Sequence, residues 1–174
     1  QETKQAVLLL ERAQVIRRVR ASSGQGLPLA ATASDKVFKL ILLDIGLMQT
    51  LCGLPWGWVA DNQDFTGEDG GALAEQFVGQ ELLASRPAHE TPELYYWRRE
   101  ERGSSAEVDY VLPLAGSACP LEVKSAASGR LKSLHLFCQQ YQPKKAFVVS
   151  SRPRYTMGPI TGLSFYDVGG AGLR

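Results

Sequence analysis

Four charged residues stand in two pairs, each pair separated by a single apolar residue. Glu107 and Asp109 flank Val108, and Glu122 and Lys124 flank Val123 within Pro120-Leu121-Glu122-Val123-Lys124. In a strand, residues two apart share a face. Glu107 and Asp109 are therefore expected on one side of their strand, with Val108 and Tyr110 on the other. By the same rule Glu122 and Lys124 share a face, with Leu121 and Val123 packed behind. If the two strands pair as a hairpin, an acidic pair faces a Glu-x-Lys pair, and opposed like charges destabilise a sheet unless something compensates. A divalent cation is the obvious compensation. Hard ions such as Mg²⁺ take one or two carboxylates, with water and phosphate oxygens completing the shell, and Asp109 and Glu122 can supply these, with Glu107 as an outer ligand. Lys124 cannot ligate while protonated, but beside the ion it can orient a water or offset charge on a phosphorane-like transition state. The competing reading is an exposed hairpin whose charges keep it soluble. Apolar strands on either side argue instead for a central sheet, where uncompensated charge is costly.

The elements that must position these residues can be read from periodicity. Leu73, Phe77, Val78 and Leu82 form an apolar stripe of a helix over about 70–85, with Glu75 near its start and Pro87 forcing a stop. Strands are expected at Leu94–Arg98, Ala106–Pro113 and Cys119–Lys124, the last two joined by a turn at Ala115-Gly116-Ser117. A helix from Leu131 to Tyr141 and strands at Ala146–Ser150 and Leu163–Tyr166 follow. The order over 70–150 is α-β-β-β-α-β. Upstream, residues 4–13 read as a helix, Val15 to Arg20 as a strand, and Lys36–Leu43 as a buried strand. Asp44 is expected to cap a helix over 45–52. A Gly- and Trp-containing linker over 53–70 separates a small N-terminal unit, residues 1–60, from the main one, residues 61–174.

Glu75 in a helix, then Asp109, then Glu122-Val123-Lys124 in this order of elements resembles the PD-(D/E)XK nuclease superfamily. Five blocks carry a closer resemblance: Lys39-Leu40 through Leu43-Asp44-Ile45-Gly46-Leu47, Glu75-Gln76-Phe77-Val78 with Glu81-Leu82, Tyr95-Tyr96-Trp97-Arg98, Glu107-Val108-Asp109-Tyr110-Val111 and Pro120-Leu121-Glu122-Val123-Lys124. They are similar to the C-terminal domain of unknown function that follows the ATPase module in many prokaryotic AAA-type ATPases. The resemblance covers about residues 7–150. It implies an α/β fold with a restriction-endonuclease-like αβββαβ core, a mixed central sheet flanked by helices, and a small N-terminal α/β connector. Residues 7–20 are similar to the end of a winged-helix-like segment. It further implies that Asp109 and Glu122 hold Mg²⁺ or Mn²⁺, that Glu75 assists, and that Lys124 polarises the water or the scissile phosphate. One departure is that Gln139-Gln140-Tyr141 does not reproduce the Gln and Tyr four apart found in the RecB-like branch.

Composition sets the bounds. The 174 residues, 44% hydrophobic and 21% charged, suit one large or two small folding units with a proper core. A net charge of +1 excludes the global basic field of a nonspecific nucleic-acid binder. Its distribution is uneven: residues 61–122 carry thirteen acidic and four basic groups, and residues 123–174 one acidic and eight basic. This suits an acidic, cation-binding centre with phosphate-binding rims, for which Arg98, Arg99, Lys132, Lys144 and Lys145 are the candidates; solvated surface charge is the plain alternative. Trp97 is expected in the core, His135 at the surface or half-buried, and Arg17, Arg18 and Arg20 on phosphate or on a solvated strand edge. Three scattered cysteines and two histidines argue against structural zinc, and the cysteines are expected to be small core residues of a cytoplasmic protein. No apolar run is long enough to cross a bilayer. No Gly-x-x-x-x-Gly-Lys-Ser/Thr occurs, so ATP would bind only to an N-terminal ATPase module of a longer chain, an expectation consistent with the start at Gln1. Two functions follow from this reading. One is a metal-dependent phosphodiesterase on DNA or RNA. The other is a non-catalytic recognition or assembly domain coupling the ATPase to a nucleic-acid or protein partner.

Overall fold

A computed structural model describes residues 2–55, 68–87, 89–90, 92–101, 104–125, 130–169 and 173. Eight strands lie in one mixed sheet, in the spatial order β2-β1-β3-β4-β5-β6-β8-β7. They are β1 (Ile16–Ser22), β2 (Phe38–Leu42), β3 (Leu94–Glu101), β4 (Ser104–Leu114), β5 (Ser117–Val123), β6 (Ala146–Ser150), β7 (Tyr155–Met157) and β8 (Ile160–Ser164). The helices are α1 (Glu2–Arg12), α2 (Ile45–Leu51), α3 (Glu68–Ala84) and α4 (Lys132–Tyr141). The fold is therefore mixed α/β, and from α3 to β6 the order is the expected α-β-β-β-α-β. Much of the 53–70 linker lies outside the described residues.

Strand β6 shows how the layers form. Its alternate residues Phe147 and Val149 join a core with Ala74, Val78 and Leu82 of α3, while Ala146 and Val148 pack with Leu134 of α4. Opposite faces of the sheet are thus covered by α3 and α4, because a strand that is apolar on both sides needs a partner on both. Trp97 is only 2% exposed and stacks edge-on against Phe137 and Tyr141, the core role expected of it. His135 is exposed, also as expected.

The hairpin β4–β5 turns through Ala115 (φ 50°) and Gly116 (φ 73°). Two successive positive φ values suit the right-handed twist of the flanking strands. The stretch 1–60, read as a connector, contributes β1 and β2 to this same sheet: β1 pairs antiparallel with β2 and parallel with β3.

Several local expectations are corrected. The strand read as Lys36–Leu43 is an edge strand, not a buried one; Ile41 is buried, but Leu40 and Leu43 are 45% and 61% exposed. An apolar run alone does not distinguish a central strand from an edge laid against a helix. Cys52 is exposed and Cys138 half-buried, leaving Cys119 as the fully buried cysteine. Strand β7 gave no sequence signal, being three half-buried or exposed residues.

The most consequential correction concerns Tyr110. The β3–β4 register shifts between Tyr95↔Val111 and Trp97↔Val108, so four residues of β4 oppose three of β3. This bulge breaks the alternation. Val108 and Val111 face α4 with Trp97 and Phe137, while Tyr110 and Leu112 face α3. Tyr110 therefore does not lie on the Val108 side, as strict period two predicts.

Candidate functional site

The bulge sits where the chemistry gathers. Beyond the Tyr110↔Leu121 pair the β4–β5 ladder gives way, and the Asp109 carboxylate accepts the Val123 N–H at 2.7 Å. A side chain thus replaces a backbone acceptor at the point where the strands part. Glu122 precedes that amide, and its Oε1 takes the Lys124 ammonium at 2.8 Å. Lys124 is kept extended past the end of β5 by its backbone N–H, which donates to Val149 O at 2.8 Å. Leu121 and Val123 point into the core behind, as the alternation predicts.

Glu75 is presented by α3, whose placement is fixed by its neighbours in the chain and in space. The Gln76 amide accepts from Leu42 N–H at 2.9 Å and donates to Leu42 O at 2.8 Å, imitating a further strand against the edge of β2. The Tyr110 hydroxyl donates to the Glu75 backbone carbonyl at 2.8 Å. Gly79, one turn on, leaves room for that hydroxyl; a Cβ there would overlap it.

Lys39 on β2 completes the cluster. Its ammonium lies 3.2 Å from Glu75, 2.5 Å from Glu107 and 4.0 Å from Asp109, and 4.9 Å from the centre of the Tyr96 ring. Sequence reasoning gave neither Lys39 nor Gln76 a role. A lone lysine between Phe38 and Leu40-Ile41 was the available signal, since an ammonium is held in a half-buried strand only when something pairs with it.

The electrostatics follow from burial. Asp109 and Glu122 are 9% and 6% exposed. Burial is the main reason that the Asp109 carboxyl is held well above its ordinary pKa, with the Glu122 and Glu75 carboxylates adding to it; the Val123 N–H and Lys39 pull the other way. Burial likewise raises Glu122, partly offset by Lys124. Burial works against the Lys39 charge, but Glu75, Glu107 and Asp109 together outweigh it and hold the ammonium above its usual pKa. Tyr110, desolvated and beside Glu75 and Asp109, is raised well above the phenol's normal value and stays a proton donor. Glu75, Glu107, Asp109 and Glu122 count four negative charges against two positive ones from Lys39 and Lys124, a formal balance of −2.

Whether a cation would suit this place depends on the donors. The second Glu122 oxygen, Oε2, is buried without a hydrogen-bond partner among the described residues. An unpartnered carboxylate oxygen is expensive to bury; the Glu122 charge is felt at Asp109, and carboxylate oxygens are the donors Mg²⁺ takes. Among the described residues no group of three or more His, Cys, Asp or Glu is arranged to hold an ion. The donors present are two buried carboxylates, the oxygen chemistry of a hard cation, with no third such ligand grouped with them among the described residues.

The basic residues expected at the rims are dispersed. Arg98 is exposed on β3, opposite Glu107, and Arg99 is half-buried opposite Ala106. Lys132 is exposed at the start of α4. Lys144 and Lys145 are also exposed, but Lys144 reaches Ala115 O at 3.2 Å, at the hairpin turn. That is past the C-terminal end of β4, whereas Asp109 lies at its middle, about 20 Å away at ~3.4 Å per residue. Of the upstream arginines, Arg18 pairs with Glu11, and Arg20 with Asp35 and Glu93.

Residues 70–159, more than half of the chain, match the family described as "Domain of unknown function (DUF4143)". The chain belongs to that family. No curated protein and no solved structure matched it. Glu75, Glu107, Asp109, Glu122 and Lys124 all lie within the DUF4143 match, whereas Lys39 and the two strands that carry and flank it come from the residues before it. No helix among the described residues is long and apolar enough to cross a membrane.

Proposed function

We propose that Asp109, Glu122 and Lys124, with Glu75 assisting, form the site of a Mg²⁺- or Mn²⁺-dependent phosphodiesterase of PD-(D/E)XK type acting on DNA or RNA. In this reading the domain works as the C-terminal part of an AAA-type ATPase, with ATP bound elsewhere in the longer protein. The observation that carries it is the buried, partnerless Glu122 Oε2 beside a second buried carboxylate, both linked to one lysine-bearing strand. A protein gains nothing in stability from burying two carboxylates with an orphan oxygen, so the arrangement is better explained by a ligand.

A bound divalent ion would supply Lewis-acid polarisation of a phosphoryl oxygen and a more acidic water. Asp109 and Glu122 would hold it, and Lys124, already fixed by Glu122, would orient the attacking water and offset charge on the phosphoryl oxygens. Water oxygen bonds to phosphorus, one phosphorus–oxygen ester bond breaks, and the departing oxygen takes up a proton. A phosphomonoester and a free hydroxyl result. Arg98, Arg99 and Lys132 are the residues whose charge would hold the flanking backbone.

The test is Mn²⁺-dependent cleavage of linear, plasmid and single-stranded DNA and of RNA. Lys124→Ala should lower turnover about 10²–10³-fold, the usual loss on removing one charge-stabilising donor, with binding nearly unchanged. One observation favours the non-catalytic alternative of a recognition or assembly domain: three of the four carboxylates already share the Lys39 ammonium within 4.0 Å. Salt-sensitive binding with no cleavage, even with the ATPase portion and ATP restored, would establish that alternative; equal activity in wild type and Lys124→Ala would indicate a contaminating nuclease.

A further inference from the structure

The carboxylates divide into two unequal sets. Asp109 and Glu122 are buried, and the Glu122 Oε2 is left open. Glu75 and Glu107 are more exposed, with side chains 36% and 45% accessible, and both are taken by the Lys39 ammonium, which also reaches Asp109. Lys39 is not loosely tethered. Its strand is fastened to α3 by the two Gln76–Leu42 hydrogen bonds, and the Tyr96 ring lies beneath its ammonium. An ammonium ion within 4 Å of three carboxylates occupies the space and offsets part of the charge that a cation bound by the same oxygens would need.

We infer that Lys39 stands in for a second cation, so that the site takes one divalent ion, at Asp109 and Glu122, and not two. This deepens the phosphodiesterase reading and rests on it. Charge supports the count: four carboxylates and two lysines leave a formal −2, the charge one divalent ion neutralises, whereas a second ion would leave the cluster at +2. Lys39 is thereby a positioning residue. It holds Glu75 and Glu107 at the edge of the site and does not itself meet the scissile group.

The experiment counts ions, independently of any catalysis. Mn²⁺ is titrated into the full chain and free Mn²⁺ is read by electron paramagnetic resonance, for wild type, Lys39→Met and Glu107→Gln, each first shown to be folded by circular dichroism. Wild type should bind one Mn²⁺. Lys39→Met, which frees Glu75, Glu107 and one side of Asp109, should bind two, and Glu107→Gln should bind one with affinity within threefold of wild type. Should Lys39→Met fail to fold, wild type and Glu107→Gln still decide the matter. Two ions in wild type, one ion in a folded Lys39→Met, or a tenfold loss of affinity in Glu107→Gln would overturn the inference while leaving the phosphodiesterase reading intact. No Mn²⁺ bound by any of the three proteins would overturn both.

Discussion

Asp109 is the residue on which the cluster turns. It is fixed to β5 through Val123 N–H, faces Lys39, and is pushed well above its ordinary pKa mainly by burial and then by Glu122 and Glu75. The folded state therefore holds its proton more tightly than the unfolded chain does. The associated stability is fully present below the ordinary carboxylate range and is lost as pH rises from there through the raised native value. Without added metal, the protein is expected to resist urea better at mildly acidic pH than at pH 8. Asp109→Asn keeps an acceptor for Val123 N–H but cannot ionise. It should flatten much of that dependence and stabilise the metal-free protein at pH 8 by about 1–3 kcal/mol, the scale of a buried polar penalty. Glu122 retains its own smaller dependence of the same sign. Urea unfolding curves of both proteins at the two pH values check this; a stability that rises with pH in the wild type would reverse the assignment.

At the scale of elements, two devices set the geometry. The bulge of β4 lets Asp109 and Tyr110 act on the α3 side together, one towards β5 and one towards the Glu75 carbonyl. The Gln76 amide then secures α3 to the edge of β2. Gln76→Ala removes both hydrogen bonds from a side chain only 2% exposed, at a cost of about 1–3 kcal/mol. Amide exchange of Leu42 should accelerate ahead of that in central strands β4 and β5, since an edge strand opens locally. Uniform acceleration across the sheet would mean that the clamp serves the whole fold and not the edge. Of these devices the sequence showed little. The strands of the hairpin, its turn and the faces of Glu122 and Lys124 follow from local alternation and turn chemistry. A bulge depends on how two strands pair, and the partner of a polar side chain such as Gln76 can lie anywhere in the chain.

For the whole molecule, the residues before the DUF4143 match are part of the sheet that holds the candidate site. Strand β1 pairs through Val19–Ser22 with Leu94–Trp97 of β3, and β2 brings Lys39 to Glu75 and Glu107. Deleting residues 1–55 would strip β3 of its neighbour, exposing an edge that includes Tyr95 and Trp97, and would leave Glu75, Glu107 and Asp109 without their shared cation. The remaining 56–174 fragment is expected to aggregate or to lack a cooperative melting transition. A soluble fragment with a sharp transition, measured by light scattering and calorimetry, would show that the later residues fold on their own.

What the sequence determined by itself is local. Asp44 caps α2 through Gly46 N–H, the apolar stripe of residues 73–82 makes α3, Ala115-Gly116 turns the hairpin, and the spacing of Glu122 and Lys124 puts them on one face. Each rests on interactions a few residues apart, or on periods of 3.6 and 2 that the chain displays directly. Only the tertiary structure decided that Lys39, 36 residues before Glu75, is that residue's ionic partner, that Tyr110 leaves the Val108 side, and that a run of apolar residues at 36–43 is an edge. Those outcomes depend on which strands become neighbours, and strand order is set by the burial of the whole core, which no local pattern encodes.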